Sequence, residues 1–228
     1  MATENVNSDL SIRIVERTVS MAWTASPSGS VFRKRVHLVG SAESGQVTSV
    51  VRYEPNSKFP HHGHPDGEEI YVLSGVFSDE HGDWPAGTYI LNPEGVSHAP
   101  FSVPGCTLFV KLRQYPGIER KKLALATDAL EWTTTSHKHI NEKALYQQQG
   151  FDDQMVLQRW AAKAELDRRQ YPLGAEIFVI EGRFNDEFGQ YSVGDWLRLP
   201  RHFSHSPSSE SGCVIYLKQG GFSYLRQQ

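Results

Sequence analysis

Residues 75–87 read G-V-F-S-D-E-H-G-D-W-P-A-G, and residues 182–194 read G-R-F-N-D-E-F-G-Q-Y-S-V-G. The two runs align without a gap at an offset of 107 residues. The same offset pairs further residues on both sides of the runs: Arg52 with Arg159, Pro65 with Pro172, Gly67 with Gly174, Glu69 with Glu176, Pro93 with Pro200, His98 with His205, Cys106 with Cys213, and Lys111 with Lys218. Because one register is kept over so long a stretch, the chain contains an internal repeat, which fixes its architecture. We therefore predict two copies of one unit, residues 1–118 and residues 119–228.

Each predicted unit is rich in short runs of Val, Ile, Leu, Tyr and Phe separated by Gly, Pro, Asp and Asn. Such runs at hairpin spacing predict strands, here residues 47–53, 69–73, 87–91 and 107–112. Two further segments, 121–130 and 154–166, have a composition compatible with helix, but neither has a clear helical start signal. The repeat aligns the second of these with residues 47–59, so we predict a strand in its first half. Many short strands favour an all-β barrel or sandwich.

Residues 62–68 read H-G-H-P-D-G-E and carry the most specific chemical pattern in the chain. Side chains two residues apart on a strand point to the same face, so His62 and His64 can reach one ion. The Pro-Asp-Gly turn reverses the chain, and Glu68 then opens the next strand. His98 supplies a third imidazole from the segment after Gly87. Three nitrogens and one oxygen suit Zn, Ni, Fe, Co, Cu or Mn, and the donor types do not choose among them.

A single histidine in a strand is more often a packed or solvated side chain than a metal ligand, so the second unit provides a useful internal control. There the positions of His62, His64 and Glu68 hold other residue types, and only His98 has a histidine counterpart. The counterparts are Arg169, Tyr171, Ala175 and His205. The losses fall on the predicted ligands together, which indicates that these residues act as a group. The counterparts in the second unit form either a polar pocket or, more simply, a repacked barrel interior.

The neighbouring Glu69 keeps a counterpart, Glu176, in the unit that has lost the ligands. A glutamate kept in both copies is better explained by a structural hydrogen bond than by ligation. We therefore assign Glu68, and not Glu69, to the metal site. Cys106 and Cys213 follow a glycine at equivalent positions, and we predict that both are buried packing residues.

At these residues the sequence resembles the cupin superfamily, whose two motifs are G-x5-H-x-H-x3,4-E-x6-G and G-x5-P-x-G-x2-H-x3-N. The ligand positions match, with Asn56 in place of the first glycine and Ser102 in place of the final asparagine. More narrowly, residues 64–89, together with H-A-P at 98–100 and G-C-T-L-F-V-K-L-R-Q at 105–114, resemble the ChrR-type cupin. That module forms the C-terminal half of zinc-containing anti-sigma factors.

The resemblance implies two double-stranded β-helix barrels in tandem and one divalent ion in the N-terminal unit. It points to zinc first, with nickel, iron or manganese as alternatives. Homodimers are frequent in the family. Anti-sigma factors hold the sigma factor with a separate helical domain whose zinc site needs a cysteine pair, and here no cysteine precedes Cys106. We therefore do not expect direct sigma factor binding.

Composition argues against several partners. The net charge is −3, and the longest basic run, residues 120–122, follows an acidic residue, so nucleic acid is not an expected partner. No apolar stretch approaches the ~20 residues of a membrane helix. Two cysteines and no leader-like N-terminus favour a cytoplasmic protein.

Three functions fit these observations. The first is a sensory or regulatory bicupin, in which a small ligand or oxidant meets the ion. The second is an Fe(II)-dependent dioxygenase acting on a small chelating substrate such as a diketone, because the predicted ligand set leaves coordination positions open. No catalytic acid, base or nucleophile is assigned. A purely structural zinc fits less well, since such sites are usually closed and rich in cysteine.

Overall fold

Short strands form wherever β-branched and aromatic residues alternate with polar ones, and they account for nearly all regular structure in the chain. The computed structural model describes residues 5–226. In chain order, the first part contains β1 (Ile14–Arg17), β2 (Thr24–Ala25), β3 (Val31–Val39), β4 (Gln46–Tyr53), β5 (Ser57–Lys58), β6 (His62–Gly63), β7 (Glu68–Asp79), β8 (Gly82–Pro85), β9 (Thr88–Asn92), β10 (Ser97–His98), β11 (Phe101–Ser102), β12 (Cys106–Leu112) and β13 (Leu123–Ala126).

The second part contains β14 (Thr133–Thr134), β15 (Ile140–Gln147), β16 (Gln154–Trp160), β17 (Ala164–Glu165), β18 (Arg169–Tyr171), β19 (Ala175–Asp186), β20 (Gly189–Ser192), β21 (Asp195–Leu199), β22 (Phe203–His205), β23 (Ser208–Ser209) and β24 (Cys213–Gln219). The helices among the described residues are three 3-10 turns, Thr18–Ser20, Thr127–Ala129 and Phe222–Tyr224. None of them is long and apolar enough to cross a membrane.

The strands form two units of the same topology. In the first unit the main sheet has the order β13-β9-β7-β12-β4-β3-β2, and β6 pairs with β10 beside it. In the second unit the order is β1-β21-β19-β24-β16-β15-β14, and β18 pairs with β22. All pairings are antiparallel. This architecture confirms the predicted all-β fold of two cupin barrels.

The packed units are discontinuous in sequence. Of the described residues, the first comprises 5–8, 21–129 and 224–226, and the second comprises 9–20 and 130–223. The strand that opens each sequence repeat therefore completes the barrel of the other repeat: β1 pairs with β21, and β13 pairs with β9. The predicted division between residues 118 and 119 follows the repeat in the sequence. In the packed structure, β1 and β13 each join the sheet formed by the other repeat.

Three of the predicted strands lie within β4, β7 and β12, and the fourth, residues 87–91, overlaps β9, which begins and ends one residue later. The two segments with helix-compatible composition are not helical along their length. Residues 121–130 form β13 and a 3-10 turn, and residues 154–166 contain β16 and β17. In both segments, pairing with a neighbouring strand outweighs the weak helical preference of the local sequence.

Alternate residues of the strands point inward and form one apolar core in each unit. The first core includes Val31, Val51, Ile70, Phe77 and Leu108. The second is larger and includes the bulky side chains of Trp160, Tyr171, Phe184 and Tyr191. Cys106 and Cys213 are buried free thiols, as predicted. Burial raises the pKa of Cys106 to about 11 and that of Cys213 to about 12.

Gly75 lies in the middle of β7, where the backbone of β12 approaches most closely. Its φ of 74° falls in the left-handed region. A Cβ atom there would collide with the carbonyl oxygen of Gly105 and lie 2.8 Å from the Cα atom of Cys106. Gly182 has φ 66° and the same close contact with Gly212 in the second unit. The repeated glycine is therefore required by both conformation and space.

The substitution Gly75→Ala is expected to destabilise the first unit strongly. The left-handed conformation costs about 1–2 kcal/mol for an L-residue, and forcing an atom into a packed site typically adds about 1–3 kcal/mol. Gly29→Ala is a matched control, because Gly29 has nearly the same φ, 72°, and no atom within 4 Å of the added Cβ. Urea unfolding should give a much larger loss for Gly75→Ala. Equal losses would show that the close approach is unimportant.

Candidate metal centre

Two very short strands bring the predicted histidines together. β6 and β10 pair so that His62 lies opposite His98. The chain then turns through Asp66 and Gly67, both with positive φ, and the Gly67 amide donates to the His64 carbonyl oxygen at 3.2 Å. β7 begins at Glu68, as the turn in the sequence predicts. Segments more than 30 residues apart therefore present their side chains to the same end of the barrel.

The four predicted ligands lie close together in the first unit. His62, His64 and His98 each offer a ring nitrogen, and these three atoms lie within 4.8 Å of one another. The Nε2 atoms of His64 and His98 are 3.0 Å apart. Glu68 Oε2 lies 3.5 Å from His64 Nε2 and 3.6 Å from His98 Nε2. His64, Glu68 and His98 are buried, while His62 is half-buried.

A hydrogen bond at Nδ1 of His62 and another at Nδ1 of His98 determine which ring nitrogen carries no proton. His62 Nδ1 lies 2.8 Å from the Pro60 carbonyl oxygen, which can only accept, so Nδ1 carries the proton. His98 Nδ1 lies 3.1 Å from Asp79 Oδ2 and donates to it in the same way. With the proton on Nδ1, the lone pair of each neutral ring is on Nε2, and this is the tautomer that binds a metal ion through Nε2.

Burial also prepares the remaining two side chains. Burial lowers the pKa of His64 to about 4, and the charges of His62 and Arg113 act in the same direction. His64 is therefore neutral at pH 7. Burial raises the pKa of the Glu68 carboxyl, although His98 and a 3.1 Å hydrogen bond from Asn92 Nδ2 oppose this effect. A carboxylate buried at this position is best stabilised by a nearby cation.

The spacing of these atoms fits a divalent ion. Two nitrogens about 2.1 Å from an ion lie about 3.0 Å apart when their bonds form a right angle, and farther apart at wider angles. The observed separations of 3.0, 3.5 and 3.6 Å span this range. Three imidazole nitrogens and a carboxylate oxygen are borderline donors that accept zinc, nickel, iron or manganese. His62, His64 and His98 form a group that could hold such an ion, and Glu68 lies beside two of these histidines.

A small cavity lies directly beside the cluster. It measures about 70 Å³ and is bounded by His62, His64 and Glu68 on one side. Its other walls are mainly apolar and include Phe59 and Phe77. The volume has room for a few water molecules or a few ligand atoms. A molecule in this cavity would touch three of the four predicted donor side chains, those of His62, His64 and Glu68, directly.

Asp79 was not among the residues predicted for the site. Two hydrogen bonds, from the His81 amide and from His98, lower the pKa of Asp79 although its burial acts in the opposite direction. The signal was present in the sequence, because Asp79 and His98 are both kept at the repeat offset, as Asp186 and His205. The structure shows that the pair forms the same contact in both units, since His205 Nδ1 lies 2.8 Å from Asp186 Oδ2.

In the second unit the remaining positions form a packed interior. The Tyr171 hydroxyl lies 3.4 Å from His205 Nε2 and occupies the place that His64 has in the first unit. Arg169 is opposite His205 in the β18–β22 ladder and donates to Gln158 at 3.4 Å. Ala175 leaves no carboxylate. Of the two alternatives for this unit, the repacked barrel interior is the one observed.

Glu69 and Glu176, which occupy equivalent positions in the two units, make structural hydrogen bonds, as predicted. Glu69 accepts a short hydrogen bond from the Tyr115 hydroxyl. Glu176 accepts a 3.1 Å hydrogen bond from Trp196 Nε1. Both carboxylates are buried.

Comparison with known proteins agrees with this architecture. A family model of the ChrR cupin-like domain matches residues 11–116 and again residues 120–223. The two matches follow the internal repeat and together span most of the chain. No curated protein matches the sequence.

Several solved structures share the fold. A protein of Nostoc punctiforme named "putative dioxygenase" gives a TM-score of 0.73 at 15% identity, over 92% of this chain and 84% of that one. Protein YlbA of Escherichia coli gives 0.71 at 16% identity, over 95% and 94%. The E. coli pirin YhhW, in complex with nickel(II), gives 0.60 at 15% identity, over 92% and 99%. At these identities the likeness shows the fold alone.

Asp79→Asn is expected to weaken Co(II) binding by about 10–100-fold, the usual effect of removing a carboxylate that orients a histidine ligand. The amide cannot fix the charge and tautomer of His98 as the carboxylate does. Asp186→Asn is the matched control, because it alters the same contact in the unit without the donor cluster. Calorimetric titration should show unchanged Co(II) affinity for Asp186→Asn. Equal weakening by both variants would attribute the effect to general destabilisation.

Proposed function

Because this chain belongs to the ChrR cupin-like family, we propose that it is a metal-binding bicupin in which His62, His64, Glu68 and His98 hold one divalent ion. The convergence of three imidazole nitrogens and one carboxylate beside a cavity carries this proposal. When bound, the ion supplies a Lewis-acidic or redox-active centre that faces the cavity. The second unit contributes the scaffold without the donor set.

The protein's own side chains prepare this centre. Pro60 and Asp79 hold two imidazoles with Nε2 directed into the cluster, and burial keeps His64 neutral. Asn92 fixes the Glu68 carboxylate. Phe59 and Phe77 limit the water around it. A small molecule entering the cavity would therefore exchange solvent contacts for contacts with the ion and an apolar wall.

We propose a sensory or regulatory role for this centre, with zinc as the resident ion and a cytoplasmic location. The family supports zinc. The ligand cavity supports a response to a small molecule or oxidant, because a purely structural zinc site is normally closed. The two buried free thiols are compatible with a reducing compartment. A homodimer is expected from the family, and no direct binding to a sigma factor or nucleic acid is expected.

Protein purified without chelators, or reloaded with Zn, Ni or Fe, is expected to contain one ion per chain by mass spectrometry. His62→Ala and His98→Ala should each lower this content strongly, because each removes one of four donors. His205→Ala is the matched control, since His205 makes the same contact with an aspartate in the second unit. A wild-type protein that retains no stoichiometric ion under all three loadings would contradict the proposal.

A second function is favoured by the same cavity. An ion held by three histidines and one carboxylate leaves positions open on the cavity side, where a chelating substrate and oxygen could both bind. No acid or base beyond the donor set is needed for such chemistry. The alternative is therefore an Fe(II)-dependent dioxygenase acting on a small chelating compound such as a diketone.

This alternative predicts oxygen consumption. After anaerobic loading with Fe(II), addition of small diketones should cause oxygen uptake at an electrode, while the zinc-loaded protein should consume none because zinc has no redox chemistry. His98→Ala should also be inactive. No uptake across the diketone panel with confirmed iron content would exclude this reaction and leave the regulatory role.

A further inference from the structure

Three arginines surround the opening that leads to the candidate metal centre. The opening is a cavity of about 140 Å³ bounded by His62 and His64 and by Arg33, Arg35 and Arg113. Arg33 and Arg35 lie two residues apart on β3, so both point inward. Arg113 directly follows the last residue of β12. A ligand that reaches the histidines through this opening must pass all three guanidinium groups.

One carboxylate offsets part of this charge. Glu43 lies 2.7 and 2.8 Å from Arg33 Nη1 and 3.3 Å from Arg35 Nη2. Arg113 makes no ion pair with any carboxylate in the described part of the chain. The charged side chains that line the opening are thus three arginines and one glutamate. Such an opening attracts small anions and repels cations.

Arg113 has a backbone conformation that glycine adopts at the equivalent position of the second unit. Its φ of 62° is in the left-handed region, which costs energy for any residue with a Cβ atom. The equivalent residue in the second unit is Gly220, with φ 74°. Both make the same bond: the Arg113 amide donates to Gly67 at 2.9 Å, and the Gly220 amide donates to Gly174 at 3.0 Å. The fold requires this conformation, and only the first unit places an arginine there.

The other two arginines are also confined to the first unit. Arg33 pairs with Val51, and the residue at this place in the second unit is Glu142, which pairs with Gln158. Arg35 pairs with Ser49, and its counterpart is Ala144, which pairs with Val156. The basic residues are therefore absent from the unit that lacks the donor cluster. Arginines and metal-ligand candidates occur together, as expected if both serve one ligand.

We propose that the first unit binds a small organic carboxylate, held at its charged end by Arg113 with Arg33 and Arg35, and directed by a second oxygen toward the histidine cluster. This inference rests on the proposed metal function and adds the class of ligand to it. The planar guanidinium groups suit a carboxylate. The apolar wall of Val31, Val51 and Phe77 suits a short hydrocarbon part.

The test compares pyruvate with pyruvamide, which has the same shape and no charge, on Co(II)-loaded protein. The Co(II) absorption and metal content first establish that the ion is present, so loss of the metal is distinguished from loss of carboxylate binding. Titration followed by calorimetry and by the Co(II) spectrum should show that pyruvate binds at least tenfold more tightly than pyruvamide. Hydrogen bonds to charged groups commonly have effects of this size.

Arg113→Gly is the decisive variant, because it installs the residue of the second unit and removes the backbone strain. It should keep the Co(II) content and the melting temperature of the wild type or raise the latter, while reducing the preference for pyruvate about tenfold. Arg52→Gln is the matched control: Arg52 belongs to β4, pairs with Glu54 at 2.9 Å and lies over the Trp23 ring, outside the cavity. It should leave the preference unchanged.

Three results would overturn the inference while the metal function stands. They are equal binding of pyruvate and pyruvamide, no binding of either to the Co(II)-loaded protein, and an unchanged preference in Arg113→Gly. A protein that fails to take up Co(II) would instead refute the proposed metal function on which the inference rests.

Discussion

The pairing of β6 with β10 is the contact on which the site depends. It is only two residues long, yet it places His62 opposite His98 and fixes the distance between segments that are far apart in sequence. The second unit keeps the pairing as β18 with β22, where Arg169 lies opposite His205. The ladder therefore belongs to the fold, and the donor atoms are an addition to it. A ligand set built on such a ladder needs no loop to become ordered when an ion binds.

The aspartate–histidine pair shows how a structural contact can acquire a chemical role. Asp186 has a completely buried side chain and accepts hydrogen bonds from His205, Tyr191 and backbone amides, in a unit without the other donors. Its role there is to satisfy buried polar groups. In the first unit the same contact, Asp79 with His98, also sets the tautomer that leaves Nε2 free. Removing the aspartate from either unit thus affects folding, and only in the first does it also affect the donor cluster.

The sequence predicted the fold and the grouping of the site because both depend on short-range patterns. The repeat fixed the two-unit architecture, and the H-x-H spacing with the Pro-Asp-Gly turn placed three donors. Arg33, Arg35 and Arg113 could not be found in this way. Two of them lie on a strand whose offset to its counterpart differs from 107 residues, and their neighbours across the sheet become known only from the register. The exchange of β1 and β13 between repeats is likewise a property of packing that no local motif records.

The two units share one fold but differ in the side chains that occupy its interior and its opening. The second packs Trp160, Phe184 and Tyr171 into its core and has Gly220 at the position that Arg113 occupies in the first, and both features favour stability. The first has a cavity beside the histidine cluster, three arginines at its opening, and one of these, Arg113, in a left-handed backbone conformation. A cavity, a group of neighbouring positive charges and a strained backbone each lower the stability of a folded protein. Their coincidence beside the histidine cluster is the pattern expected where selection has favoured binding over stability.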